Sequence, residues 1–308
     1  MNRRTFIKTI LAGGALWGLS RTGISGVMSK GLSKITILHT NDTHSQIEPF
    51  SSDHHRFPGM GGFAKRAALI KKIRQEEKNV LLFDAGDIYQ GTPYFNFYKG
   101  ELEIKLMSEM GYTAATVGNH EFDNGLEGID RNLQYANFPF ISSNYDFKDT
   151  ILRDKILPYK ILDVENIKVG IFGLGIELQG LVAKSAYENT RYLDPSETAA
   201  QYAYFLKKEK KCDLIVCISH LGYNYKDNKI CDVAIAKQSK NIDVIIGGHT
   251  HTTLQNAVVF SNSDRKEVII GQVGYAGVNL GRIDLYLKKN TGIKYAEGYT
   301  INILNKQV

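Results

Sequence analysis

Five short segments of this chain carry side chains of the metal-ligand type, each directly after an apolar run. They are Asn41-Asp42-Thr43-His44, Gly86-Asp87, Gly118-Asn119-His120-Glu121-Phe122-Asp123, Ser219-His220 and Gly248-His249-Thr250-His251. Taken singly, each has a plainer meaning. A lone histidine at a strand end is more often a hydrogen-bonded structural residue, and an aspartate after glycine is usually a turn residue. Five such segments in order, each after a strand-like run, argue instead for one shared site. Oxygen and nitrogen donors without sulfur suit Zn²⁺, Mn²⁺ or Fe, and the donor set does not choose among them.

The runs before these segments are residues 35–40, 80–85, 114–117, 213–219 and 244–247, and residues 168–174 form a sixth. Their near-continuous apolar character predicts short strands buried on both faces. Strands of that kind converge their carboxyl ends on one crevice, where ligands bind. Gly86, Gly118 and Gly248 would let the backbone turn sharply and approach a bound group closely. Between the strands, residues 63–76 have helical periodicity, with Ala64, Ala67, Ala68 and Ile70 on one side and Lys/Arg on the other. Asp194-Pro195-Ser196-Glu197 predicts a helix start, with an N-cap Asp and Pro in the first turn, running to about Lys210. Runs at 257–260, 267–273, 280–288 and 299–303 predict antiparallel strands that finish the domain. The expectation is an α/β fold, two packed sheets with helices outside.

The net charge of +6 is misleading. Five of the 38 basic residues (Arg3, Arg4, Lys8, Arg21 and Lys30) lie in the first thirty positions, leaving 33 against 32 acidic ones. The body is near neutral and lacks the electrostatic footprint of a nucleic-acid binder. The start itself, Arg3-Arg4-Thr5-Phe6-Ile7-Lys8 followed by an apolar run over 9–19, resembles a twin-arginine export signal. That run is too short for a membrane span of about 20 residues, so no stable span is expected in the mature protein. We therefore expect residues 1–33 to be a signal segment, 34–308 the catalytic domain, and the location periplasmic or otherwise exported. No clean cleavage point precedes Lys34, so an uncleaved anchor stays open. Cys212 and Cys217, expected on opposite faces of one strand, are too far apart to bridge, and with Cys231 they read as buried structural thiols.

The order D-x-H, G-D, G-N-H-E-F-D, H and G-G-H-T-H resembles the calcineurin-like metallophosphoesterase superfamily. Leu38-His39-Thr40-Asn41-Asp42-Thr43-His44 and Gly118-Asn119-His120-Glu121-Phe122-Asp123 are similar to the 5′-nucleotidase family, which includes periplasmic UDP-sugar hydrolases. The resemblance implies a four-layer α/β/β/α sandwich of two mixed sheets and two divalent metal ions. One ion would take Asp42, His44, Asp87 and His251; the other would take Asp87, Asn119, His220 and His249, so Asp87 bridges. His120, paired with Asp123, would be the catalytic dyad, with Asn119 also reaching substrate. In some relatives a Gln stands at the position of His251. The implied activity is hydrolysis of 5′-nucleotide-type phosphate esters. Cyclic nucleotides, UDP-sugars or a sulfur-linked ester would use the same ligands, and a non-catalytic metal-binding subunit is disfavoured by the presence of His120 and Asp123. Nucleotidases of this family usually carry a second, nucleoside-binding domain, for which a chain ending at Val308 has no room. A separately encoded nucleotide-binding domain is thus an expected partner. His54-His55 reads as a solvated loop or a rim contact, His39 as a packing residue or one supporting the ligands. Tyr89, Phe95, Phe97 and Tyr98 read as core or rim packing, with base stacking as the sharper alternative.

Overall fold

The computed structural model describes residues 31–304. The expected export segment therefore lies outside the described residues, apart from its last three positions. Among the described residues no helix is long and apolar enough to cross a membrane.

Two six-stranded sheets lie face to face. The first contains β1 (Ser33–Thr40), β2 (Val80–Asp84), β3 (Ala114–Thr116), β4 (Phe140–Ile141), β13 (Asn279–Lys288) and β14 (Gly292–Asn302), in the order β14-β13-β1-β2-β3-β4. The second contains β6 (Tyr159–Val164), β7 (Ile167–Gly175), β9 (Leu214–His220), β10 (Val244–Gly247), β11 (Val258–Ser261) and β12 (Glu267–Gly271), in the order β11-β12-β10-β9-β7-β6. A small pair, β5 (Tyr145–Asp146) and β8 (Arg191–Tyr192), stands apart. Period-two alternation assigns the faces. Ile35, Ile37, Leu81 and Phe83 meet Val169, Ile171, Val216 and Ile246 between the sheets. Leu38 and Leu82 point outward against α1 (Phe63–Glu76), α3 (Glu101–Glu109) and α4 (Gly125–Leu133), the short α2 (Pro93–Tyr98) lying between. On the far side, Phe172, Ile215 and Ile245 pack under α6 (Pro195–Tyr204) and α7 (Asp232–Gln238), whereas α5 (Lys184–Tyr187) lies on the first side beside α4, with Tyr187 against that outer core. The result is the four-layer α/β/β/α arrangement.

Four expectations need correction. β12 pairs parallel with β10 on one side and antiparallel with β11 on the other, and β13 and β14 run antiparallel to their partners. β14 is longer than the apolar run at 299–303 because an edge strand tolerates polar residues on its open side. In α1 the buried stripe is Phe63, Arg66, Leu69, Ile70 and Ile73, so the helix is rotated from the alanine face and buries an arginine. Cys212 and Cys217 line the same outer cluster, because Cys212 precedes β9 and escapes its alternation; all three cysteines are buried and free. The N-cap of α6 follows the sequence: Asp194 Oδ1 accepts from Glu197 N at 2.8 Å. The helix closes in a π turn, Phe205–Glu209.

Candidate metal centre

Parallel pairing of β1 with β2, β2 with β3, β7 with β9 and β9 with β10 brings the five segments to one end of the sandwich. Asp42 is fully buried. Both its oxygens accept from His249 N at 3.0 Å, and Oδ2 also accepts from Asn41 Nδ2 at 2.6 Å. His251 Nε2 lies 3.3 Å from Asp42 Oδ1 and 3.2 Å from His44 Nε2. His44 Nδ1 faces the carbonyl of Tyr89 at 3.1 Å and must donate to it, which leaves Nε2 of the neutral ring as a lone pair. His220 has the same construction: Nδ1 donates to Ala85 O at 2.6 Å, and Nε2 lies 3.0 Å from Asp87 Oδ2.

These donors fall into two adjacent groups. Asp42, His44 and His251 place one donor atom each within 4.8 Å of one another, and so do Asp87, His220 and His249. Asn119 Oδ1 joins the second at 2.9 Å from His249 Nδ1. Asp87 stands between them, since Oδ2 is 3.0 Å from His220 Nε2 and 3.9 Å from His44 Nε2. His44, Asp87 and His120 also satisfy the spacing, but His120 Nδ1 is taken by Asp123 Oδ2 at 2.9 Å.

The residues fit a bound cation. The His44 and His251 nitrogens face each other at a distance where two lone pairs repel unless a proton or cation is shared. His220 Nε2 is buried, with Asp87 Oδ2 3.0 Å away. The charge balance agrees. Burial resists ionisation of Asp87, yet the surrounding imidazoles, His220 first, hold its carboxyl well below the usual range. Burial resists protonation of His220 too, but Asp87 drives it up to about 10. His249 falls to about 4 through burial and the His220 charge, and burial also lowers His44.

The backbone is unusual at this end. Asp42, His44, Asp87, His249 and His251 all have left-handed φ, from 46° to 72°. Such conformations cost non-glycine residues on the order of 1 kcal/mol each and cluster at functional sites. Nothing in an aspartate or histidine announces this. The glycines play the expected part: at Gly86 (φ 86°) a Cβ would lie 2.7 Å from Gly118 N and 2.9 Å from His220 Nδ1.

Glu121 has a role that its place in the Gly118–Asp123 segment does not announce. Its buried carboxylate accepts from Gly118 N at 2.6 Å, Asp87 N at 3.0 Å and Ile88 N at 2.8 Å. It thus ties the ends of β2 and β3 together under Asp87. Gln272 was missed altogether: its side chain donates to Gly248 O and accepts from Thr252 N at 2.8 Å, shaping the His249–His251 loop. Tyr275, also missed, lies with its ring centroid 4.8 Å from that of His251 and 5.3 Å from that of His44. His39 packs between the sheets against Gly271 and Gly281, and burial lowers it to about 3. His54 and His55 lie in a largely exposed loop, His54 half-buried against Phe50 and Phe57 and His55 exposed. Tyr89 and Phe95 are core residues, while Phe97 and Tyr98 are exposed.

Residues 35–253 match the calcineurin-like phosphoesterase family. The chain is 34% identical over 319 residues to the snake venom 5′-nucleotidase of Gloydius brevicauda, an alignment covering 97% of this chain and 52% of that protein. It is 36% identical over 279 residues to the 5′-nucleotidase of Bos taurus, covering 88% and 45% respectively. Among solved structures, a 5′-nucleotidase precursor from Thermus thermophilus superposes with a TM-score of 0.80 at 31% identity, over 88% of this chain and 54% of that one. The chain thus spans about half the length of the curated relatives it matches.

Proposed function

The chain belongs to the calcineurin-like phosphoesterase family, and from that premise we propose that it is a dinuclear-metal hydrolase of 5′-nucleotide-type phosphate esters. The observation that carries the reading is Asp87, a buried carboxylate standing between two histidine-rich donor groups. Asp42, His44 and His251 would hold one ion, Asn119, His220 and His249 the other, and Asp87 both. Two divalent ions there would supply an acidified water and neutralise charge on the phosphoryl group.

The chain's own groups do the rest. Tyr89 O and Ala85 O fix the tautomers of His44 and His220, so that both present Nε2 to the cavity. His120 lies beside the ligands without being needed as one. Burial resists its protonation, but Asp123 and Asp87 together raise its pKa above the ordinary value. A ring kept protonated there would stabilise negative charge on the phosphoryl or leaving oxygen, and Asp123 orients it. A half-exposed dyad beside a buried ligand cluster is the layout expected where substrate meets metal.

The leader supports a further part of the proposal: the catalytic domain, from about Lys34, works outside the cytoplasm after twin-arginine export. The test is hydrolysis of AMP, p-nitrophenyl phosphate, bis-p-nitrophenyl phosphate and UDP-glucose by the metal-loaded chain. Preference for AMP supports the reading, and preference for the diester or UDP-sugar reassigns the substrate. Turnover of p-nitrophenyl phosphate without AMP would favour a separately encoded nucleotide-binding domain.

A further inference from the structure

The parallel strands give the molecule two ends, and the end opposite the metal centre gathers lysines that hydrolysis does not use. Lys168 lies at the start of β7, Lys207 and Lys208 in the π turn after α6, and Lys210 and Lys211 just beyond it. Lys288 and Lys289 lie at the turn between β13 and β14. These segments meet at Asp213. Its carboxylate accepts from Lys168 N at 3.0 Å and Asn290 N at 2.8 Å, and its carbonyl accepts from Lys207 Nζ at 2.8 Å. Lys168 Nζ also donates to Lys210 O at 3.4 Å. Lys208, Lys210, Lys211, Lys288 and Lys289 are exposed, and Lys168 and Lys207 are half-buried. The acidic groups among them are the buried Asp213, Asp243, which faces Lys207 and accepts from Ile215 N, Glu209 inside the run, and Asp163 paired opposite Lys168. Glu165, nearby, is held by Lys78 at 2.9 Å. Beyond residue 30 the chain is near neutral, so this excess is segregation of charge and not a general basicity.

The leader joins the fold at the same end. Ser33, the first residue of β1, pairs with Leu287 beside Lys288, and its Oγ donates to Asn166 Oδ1 at 2.8 Å. The thirty residues before Gly31 carry five more basic side chains and the apolar run 9–19. Anything in the leader that engages a bilayer therefore brings this lysine end against the headgroups.

We propose that the lysine end is a docking surface for an anionic lipid bilayer. It holds the metal centre facing away from the membrane. β9 has seven residues, which places the ligands roughly 20 Å from the lysines. That exceeds the screening length of about 8 Å at physiological salt, so an anionic substrate at the mouth is not repelled by the lipid charge. The inference is independent of the proposed hydrolysis, because none of these lysines is a ligand.

Co-sedimentation of the full chain with vesicles tests it, using phosphatidylcholine alone and equal parts of phosphatidylcholine and phosphatidylglycerol. The variants are Lys208→Glu/Lys210→Glu/Lys211→Glu and Lys288→Glu/Lys289→Glu, with Lys99→Glu/Lys184→Glu as the control elsewhere on the surface. Each basic residue near an anionic surface contributes severalfold to binding, so each lysine-end variant should bind the anionic vesicles about tenfold or more weakly. Binding to phosphatidylcholine, which reports the leader alone, and the thermal melt should stay as in the unmodified chain. Should a melt change, glutamine replacements at the same positions repeat the test with less perturbation. Lysine-end variants that bind anionic vesicles as tightly as the unmodified chain, or a control that loses as much, would overturn the proposal.

Discussion

The two ends of the strands handle buried polarity in opposite ways. Along the amino-end half of β1, every charge finds a protein partner. Thr36 Oγ1 donates to Asp284 Oδ1 at 2.7 Å, Arg282 Nη2 donates to Asp284 Oδ2 at 2.9 Å and to Glu77 Oε1 at 2.5 Å, and Lys34 Nζ donates to Glu77 at 2.6 Å. At the carboxyl ends, imidazole nitrogens face one another and the carboxylates of Asp42 and Asp87, and five donor residues hold left-handed backbone. The first region is complete as a piece of protein. The second leaves clustered donors that could hold a metal ion, and its strain is retained because the surrounding fold overdetermines it. Stability and activity should therefore be separable by mutation at the two ends.

The largest expected effect is at the dyad. His120→Ala should lower kcat by about 10²–10⁴-fold with metal content unchanged, read by steady-state kinetics beside metal analysis. Asp123→Asn sharpens the point. Asp123 raises the His120 pKa, so the protonated ring persists at low pH and is lost as pH rises through that raised value. Removing the carboxylate should start the alkaline fall of the pH–rate profile at lower pH; an unmoved profile would show that His120 does not act as the protonated ring. Next, Arg282→Met removes the guanidinium from Asp284 and Glu77, leaving them Lys34 and Thr36, and should cost about 2 kcal/mol in denaturant unfolding while leaving kcat intact. A kcat that falls with stability would erase the separation between the ends.

Glu121→Gln sits on the boundary between them. It puts an amide where the carboxylate accepts three backbone N–H groups, and should weaken metal affinity about 10–100-fold in competition with a chelator. The smallest effect tests the strain itself. His251→Gly should stabilise the metal-free chain by about 1 kcal/mol or less while reducing activity, because glycine accepts φ near 51° freely. A lower melting temperature would mean that the left-handed loop is unstrained.

Much of this was legible in the sequence because apolar runs and metal-ligand residues alternate so regularly. Residues 244–247 and 63–76 match β10 and α1 as observed, and Asp42, His44, Asp87, Asn119, His220, His249 and His251 are brought to one end. The missed parts depend on tertiary context. β6 was not read because an edge strand next to β7 needs no distinctive alternation, and its residues are only half-buried. Arg66 looked like a solvent-side charge, yet it is buried over the Phe63 ring at 4.0 Å. Glu121 and Gln272 act on backbone groups distant in sequence, and only the folded chain shows which ones.

The central claim is that Asp87 joins two donor groups into one dinuclear centre. The measurement that tests it most directly is metal content per chain, with AMP and p-nitrophenyl phosphate turnover, for the unmodified chain and Asp87→Asn after identical metal loading. Two equivalents and metal-dependent turnover in the former, with both lost in the variant, are the predicted result. A variant that keeps two equivalents and its turnover, or an unmodified chain that turns over after complete metal removal, would contradict the account.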